Sequence, residues 1–218
     1  DPHPEHLVAS GGIQASDSQQ TIWADDLDVR FDRSDASELV VGRLEASGAV
    51  ELLLDSGARA WGERLIGNGV RRTVELSSID GEVILMRGNV LADSLQVIRF
   101  DDQRKSAESD GPGRFRFYES PLMIAGQGRM APPTLQELTP SLEATWGGSM
   151  RFKDDENDGA SALELEGDVI VRNRPDVREE NDLDAGFLRL DFSRRASNPV
   201  VDSEGLPLNA NAREAFSN

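Results

Sequence analysis

The sequence contains no cysteine. That excludes disulfides, thiolate metal sites and cysteine nucleophiles, while leaving the compartment open. Histidine is almost as scarce. His3 and His6 stand alone in a start, Asp1-Pro2-His3-Pro4-Glu5-His6, that reads as a linker. A Ser-His-Asp arrangement has no anchored base there, and a zinc site has no third ligand nearby. No G-x-S-x-G, Walker A or H-E-x-x-H motif occurs. No run of about 18 apolar residues exists, so no transmembrane helix is expected. No signal peptide is visible either, and the chain reads as a processed protein or an excised domain. By this reading there is no enzyme activity, no catalytic residue, no metal ligand and no cofactor.

Positive charge is also in short supply. Forty acidic residues face 23 basic ones, for a net charge of -17. Such a surface repels nucleic-acid phosphates and anionic head groups over about 8 Å at physiological salt. Without a basic stripe, nucleic acid is excluded as a partner. The acidity itself reads as solubility. Arg71-Arg72 reads as a solvated strand edge, and nothing marks one pair of the many carboxylates as glycosidase-like.

What is present is a period of two. Leu27, Val29 and Phe31 alternate with Asp28 and Arg30, and Val50, Leu52 and Leu54 with Glu51. The same alternation appears at Val74/Leu76, Phe115/Phe117, Met150/Phe152, Leu163/Leu165, Val169/Val171 and Leu188/Leu190/Phe192. Residues i and i+2 share a strand face, so each run offers one apolar face and one polar face. At Leu95-Gln96-Val97 the phase slips to Ile98 and Phe100, as a bulge would cause. Turn signals separate the runs: Gly11-Gly12, Asp55-Ser56-Gly57, Gly67-Asn68-Gly69, Asp80-Gly81, Asp110-Gly111-Pro112-Gly113 and Asn157-Asp158-Gly159. A dozen or more short strands are expected. Thr134 to Leu138 and Ala210 to Phe216 are the only weak helical signals. Asp154 to Gly159 begins like a calcium loop, but its twelfth position is Leu165, so it reads as a hairpin turn.

The chain divides into a first β module at 8–125, a Pro-rich connection at 126–140, a second, looser β module at 141–205 that continues the first, and a flexible tail at 206–218. The connection is expected to join two β layers or two modules. A diffuse repeat runs through both modules, in which a Gly opens a strand and an Ala/Gly-acidic pair opens the next. Gly12-Ile13 leads to Ala24-Asp25-Asp26-Leu27-Asp28-Val29, Gly48-Ala49-Val50 to Ala60-Trp61-Gly62-Glu63, Gly88-Asn89-Val90 to Ala92-Asp93-Ser94-Leu95, and Gly167-Asp168-Val169 to Asp184-Ala185-Gly186-Phe187. Repeated hairpins stack and bury a shared face.

This repeat resembles the OstA-like (LptA-type) family of lipopolysaccharide-transport proteins. Leu44-Glu45-Ala46-Ser47-Gly48-Ala49-Val50, Ala24-Asp25-Asp26-Leu27-Asp28-Val29 and Leu163-Glu164-Leu165-Glu166-Gly167-Asp168-Val169 carry the likeness. It covers residues 8–118 and, more loosely, 142–193. The resemblance implies an all-β fold, an antiparallel β-jellyroll folded like a taco and built from repeated short hairpins. It implies an apolar groove that binds lipopolysaccharide acyl chains, edge strands that pair with other OstA-like β proteins or with a second copy, and a periplasmic or cell-envelope location. The candidate groove residues are Val29, Phe31, Leu52, Leu54, Val97, Phe115, Phe117, Met150, Phe152, Leu188 and Leu190. Two other readings stay open. A structural or interaction β-sandwich module of a cell-envelope protein would seal these residues in a closed core. A carbohydrate-binding jellyroll would expose Trp23, Trp61 or Trp146 beside clustered acids.

Overall fold

The computed structural model describes residues 5–17, 20–33, 39–54, 57–79, 81–122, 128–133, 139–155, 160–176 and 179–193. It is all-β and antiparallel, with fourteen strands in one sheet and no helix among the described residues. The strands are β1 (His6–Ser16), β2 (Gln20–Arg33), β3 (Leu39–Leu54), β4 (Arg59–Asn68), β5 (Thr73–Ser77), β6 (Val83–Arg87), β7 (Val90–Leu95), β8 (Val97–Asp101), β9 (Ser106–Asp110), β10 (Gly113–Phe117), β11 (Leu142–Trp146), β12 (Ser149–Asp155), β13 (Ala160–Asp176) and β14 (Glu179–Ser193). The two helical signals at 134–138 and 210–216 and the turn at 156–159 lie outside the described residues.

The pairings resolve into a simple plan. The far edge of β4 splits, its C-terminal half pairing β5 and its N-terminal half β6. At the other end, β13 splits in the same way between β12 and β11. Between them, one leaf runs β5-β8-β9-β12 and the other β6-β7-β10-β11. Thus β5/β6, β7/β8, β9/β10 and β11/β12 are each one long strand interrupted partway. The molecule is a jellyroll-like meander of bent strands, folded along a line that crosses every one of them. We call the part containing β5, β8, β9 and β12 the first leaf and the part containing β6, β7, β10 and β11 the second.

The fold line is built from backbone that cannot stay pleated. β1 shifts register between Ser10 and Ile13, β2 between Trp23 and Asp26, β3 between Ser47 and Val50, and β13 between Glu166 and Val169. Gly48 (φ 94°) and Gly167 (φ 82°) take left-handed conformations that let a bulge bend the strand without a β-carbon penalty. Acidic side chains satisfy amides that the bend frees. The Ala49 N–H donates to Asp25 (3.2 Å), the Ile79 N–H to Glu63 (2.6 Å) and the Ser94 N–H to Glu82 (2.7 Å). Gly11-Gly12 and Asp110-Gly111-Pro112-Gly113, expected as reversals, lie on this line instead. Gly11 and Gly12 sit inside β1, and Gly111 sits where β9 passes into β10.

Folding brings the apolar faces of both leaves into one core. Leu27, Leu65, Leu76 and Ile98 of the first leaf share a cluster with Ile22, Leu52, Val83 and Leu95 of the second. Fully burying a side chain of this size contributes about 1.5–3 kcal/mol. The outward face of the first leaf carries charges of alternating sign in a single cross-strand row: Glu75, Arg99, Glu108, Arg151, Glu164 and Arg189. Opposite charges side by side hold the register and keep this face solvated.

The Pro-rich stretch joins β10 to its immediate neighbour β11, so residues 141–193 continue the same sheet rather than starting a new layer. Between them, residues 128–130 lie on the outward face of the second leaf. Arg129 donates to the Ala49 carbonyl (2.6 Å), the Trp61 indole to the Met130 carbonyl (3.0 Å), and the Met130 N–H to Glu51 (2.6 Å). A second small cluster of Trp61, Met86, Leu91 and Tyr118 fills this outer face. Burial raises the Tyr118 phenol above its usual range.

Candidate functional site: the apolar interior between the leaves

Strand register lines up the interior in rows. In the first leaf, one row reads Leu7, Val29, Leu44, Gly67, Val74, Phe100, Ala107, Phe152, Leu163 and Leu190 from edge to edge. In the second leaf, the matching row reads Ala15, Ile22, Leu52, Ala60, Leu85, Ala92, Phe115, Ala144, Val171 and Leu183. Neither row contains a polar side chain. Each strand contributes because its period-two pattern puts an apolar residue on the same face at the same height.

Burial falls with distance from the fold line. Beside it, Leu65, Leu76, Leu95, Ile98, Leu165 and Val169 are sealed. Two residues further out burial is mixed: Leu44, Val74, Phe100, Ala107 and Phe152 in the first leaf and Leu85, Phe115 and Val171 in the second are half-buried, while Val29 and Leu163 in the first and Ile22, Leu52, Ala60, Ala92 and Ala144 in the second stay buried. The interior is therefore sealed at its base and only partly sealed one row further out. It also opens at both ends of the sheet, where Leu7 is 44% exposed, Leu183 52% and Leu190 38%.

The residues singled out from the sequence spread across this gradient. Val29, Leu52 and Met150 are buried in the core, and Phe31, Leu54, Phe115, Phe152 and Leu188 pack against it half-buried. Phe117 lies at the mouth, in register with Val90 and Leu142. Leu190 lies on the exposed edge strand β14. Val97 stands apart. It pairs with Ser77, alternates with inward Ile98 and belongs to neither cluster, so it lies on the outward face of the first leaf. Leu44, Val74, Leu85 and Phe100 line the interior equally well. Their signal in the sequence was the alternation at Val74/Leu76 and Ile98/Phe100 and the Leu44-Glu45-Ala46 phrase, which the choice of candidates passed over.

Three other features resolve. Trp23 and Trp61 are buried on the outward face of the second leaf side, and Trp146 is buried in the interior, so no tryptophan offers a ring to a sugar. His6 bonds to Asp28 at 2.9 Å on the surface, and the described residues contain no group of three or more side chains suited to a metal. Arg71-Arg72 occupies the turn between β4 and β5, where Arg72 pairs with Asp102. No protein-family model and no curated protein matches this chain.

Proposed function

We propose that this chain is a non-enzymatic lipid carrier of the OstA-like, lipopolysaccharide-transport type. It holds acyl chains between its two leaves and hands them along the periplasm or cell envelope. The observation that carries this reading is the pair of all-apolar rows that cross the whole sheet, one ending on exposed Leu7 and Leu190 and the other on half-buried Ala15 and exposed Leu183. A closed sandwich buries the ends of its core, whereas here the apolar path runs out to solvent. Each buried methylene contributes about 0.8 kcal/mol, so an acyl chain needs only such a wall and no specific polar chemistry. Among the described residues, β1 and β14 each have one unpaired edge. The meander makes an even number of passes, so β14 of one copy meets β1 of the next antiparallel and continues the sheet. Strand addition of this kind joins copies, or joins the chain to other OstA-like β proteins.

The sealed base of the interior favours a second reading, a structural β module with a filled core. Photo-crosslinking separates the two. A benzophenone amino acid is placed at Phe115, at Phe152, or at outward-facing Val97, and the purified protein is incubated with lipopolysaccharide. Adducts from Phe115 and Phe152 but not from Val97 support the carrier. Absence of adducts at both interior positions, or equal labelling at Val97, removes it in favour of the structural module.

A further inference from the structure

The connection from β10 to β11 is far longer than its geometry needs. The two strands pair to their ends, Phe117 opposite Leu142, a join that about 2–5 residues can close. The chain runs through residues 118–141 instead. It first follows the β6–β7 turn, where the Tyr118 and Leu122 N–H groups donate to the Asn89 (2.9 Å) and Gly88 (2.8 Å) carbonyls. It then reaches β3 and β4 on the outward face of the second leaf. That face is divided. One cross-strand row passes from Leu53 through Met86 and Leu91 to Arg116, Glu143 and Arg172. Its far half alternates in charge, as a solvated face does. Its near half is apolar around the buried Glu51–Arg59 ion pair, and Trp61 and Ile84 extend it in the next row.

The seat under residues 128–130 reads main chain. The Glu51 carboxylate accepts from the Met130 N–H (2.6 Å), and the Trp61 indole donates to the Met130 carbonyl (3.0 Å). The Arg59 guanidinium donates to the Gly128 carbonyl (3.1 Å). Side chains of two neighbouring strands thus hold both main-chain groups of one residue and the carbonyl two places before it. The seated segment buries little of itself in return. Gly128, Arg129, Ala131 and Pro132 are exposed, and Met130 is only half-buried. Its side-chain anchor is Arg129, which stands 3.6 Å from the Asp25 carboxylate and donates to the Ala49 carbonyl (2.6 Å).

We propose that this seat is a docking groove for an extended, basic peptide segment of a partner protein, held closed in cis by residues 128–130. The seated segment shows what the groove accepts: a cation followed at once by an apolar residue, as in Arg129-Met130. A groove that bonds main chain takes any extended segment that presents it, while side-chain contacts set the preference. Charge favours the same partner. A basic segment is drawn to a chain of net charge -17, and Asp25 stands where its cation arrives. A tethered occupant competes at an effective concentration in the roughly millimolar range, so the groove opens only to a partner that displaces it. The apolar interior lies on the other side of the sheet, and the inference does not depend on the lipid reading.

The probe is a fluorescein-labelled peptide with the sequence of residues 126–134, titrated into the purified full chain and into an R129E/M130G variant whose own segment is weakened. The variant should bind the peptide at least about tenfold tighter than the parent, because its tethered competitor is gone. Adding W61F, which removes the indole donor, should weaken that binding by about threefold to tenfold. A folded R129E/M130G variant that does not bind the peptide, or binding that W61F leaves unchanged, overturns the proposal. Hydrogen exchange in the unaltered, isotope-labelled chain decides the matter if the variant does not fold. Exchange of the Met130 amide should quicken as unlabelled peptide is added, and a rate unmoved at millimolar peptide overturns the proposal. Dimers of the unaltered chain that the peptide dissolves overturn the assignment to a separate partner and give the groove to the same segment of a second copy.

Discussion

The Glu51 carboxylate and the Arg59 guanidinium pair on the outward face of the second leaf, where each side chain is only 2% exposed. Residues 128–130 close over them: Arg59 also donates to the Gly128 carbonyl (3.1 Å), and Glu51 also accepts from the Met130 amide. The guanidinium stands 5.9 Å from the centre of the Trp23 ring, within reach of a cation–π contact. Removing one partner leaves the other charge buried and alone. Glu51→Ala should therefore destabilise the fold by about 3–5 kcal/mol. Glu51→Leu with Arg59→Met, which removes both charges and keeps volume, should cost far less. Urea unfolding midpoints of the two variants check this, and equal losses would mean that the charges are not coupled.

Along the fold line, glycines are not equivalent. Gly48 has φ 94°, and a β-carbon there would run into the Asp25 side chain that caps the bulge. Gly186 on β14 has nothing within 4 Å of the same position and ordinary backbone. Gly48→Ala should lower stability by about 1–3 kcal/mol. Gly186→Ala should be neutral or slightly stabilising. Thermal unfolding of both variants is the measurement, and a neutral Gly48→Ala would mean that β3 bends without needing that conformation.

Acid should act on the outer face of the first leaf. Arg64, and then Arg43, hydrogen-bond the Glu45 carboxylate and hold it below its usual range. A carboxyl whose folded value lies below its unfolded one contributes stability above the unfolded value, near 4.3. That contribution fades as pH falls through the folded value. Glu45→Gln should therefore be less stable than the parent at neutral pH, and the difference should vanish in acid. Because the pair is largely solvated, the difference at pH 7 should not exceed about 1 kcal/mol. Unfolding curves of both proteins between neutral and acid pH test the sign, and a gap that widens in acid would refute it.

Copies that add edge to edge should be sensitive to charge on the edge strands. Leu7→Lys with Leu190→Lys places a cation on each exposed end of one apolar row, the usual device by which edge strands are blunted. Sedimentation velocity should show concentration-dependent association for the parent and a monomer for the double variant. A parent that stays monomeric at every concentration removes strand addition from the proposal.

Much of this architecture is readable in the residues. The alternation at Leu27-Val29-Phe31 or Leu188-Leu190 names an inward face because a pleat has only two sides. The phase slip at Leu95-Gln96-Val97-Ile98 records the passage of one strand from the second leaf to the first: Leu95 and Ile98 both point inward, and Val97 is thrown outward. Glycine is where local reading loses its power. Gly11-Gly12 and Gly57 both carry positive φ, yet the first pair bends a strand within one pass and the second reverses the chain. The backbone conformation is shared; only the partner strands distinguish a bulge from a turn. The grouping of arginines on the outward face of the first leaf was equally hidden, since Arg43, Arg71 and the Arg99–Arg104 stretch lie far apart along the chain and come together only because β3, β4, β5 and β8 are neighbours in the sheet.

By itself, the sequence determined that this is a cysteine-free, acidic, antiparallel β protein with an apolar face on nearly every strand, because side-chain alternation and turn chemistry are local. Only the tertiary structure decided that the strands bend along a common line, that the resulting interior is sealed at its base, and that Glu51 and Arg59 are buried beneath a connecting segment. Those outcomes depend on which strands become neighbours and on where one leaf faces the other, and contacts between residues remote along the chain leave no periodic trace in it.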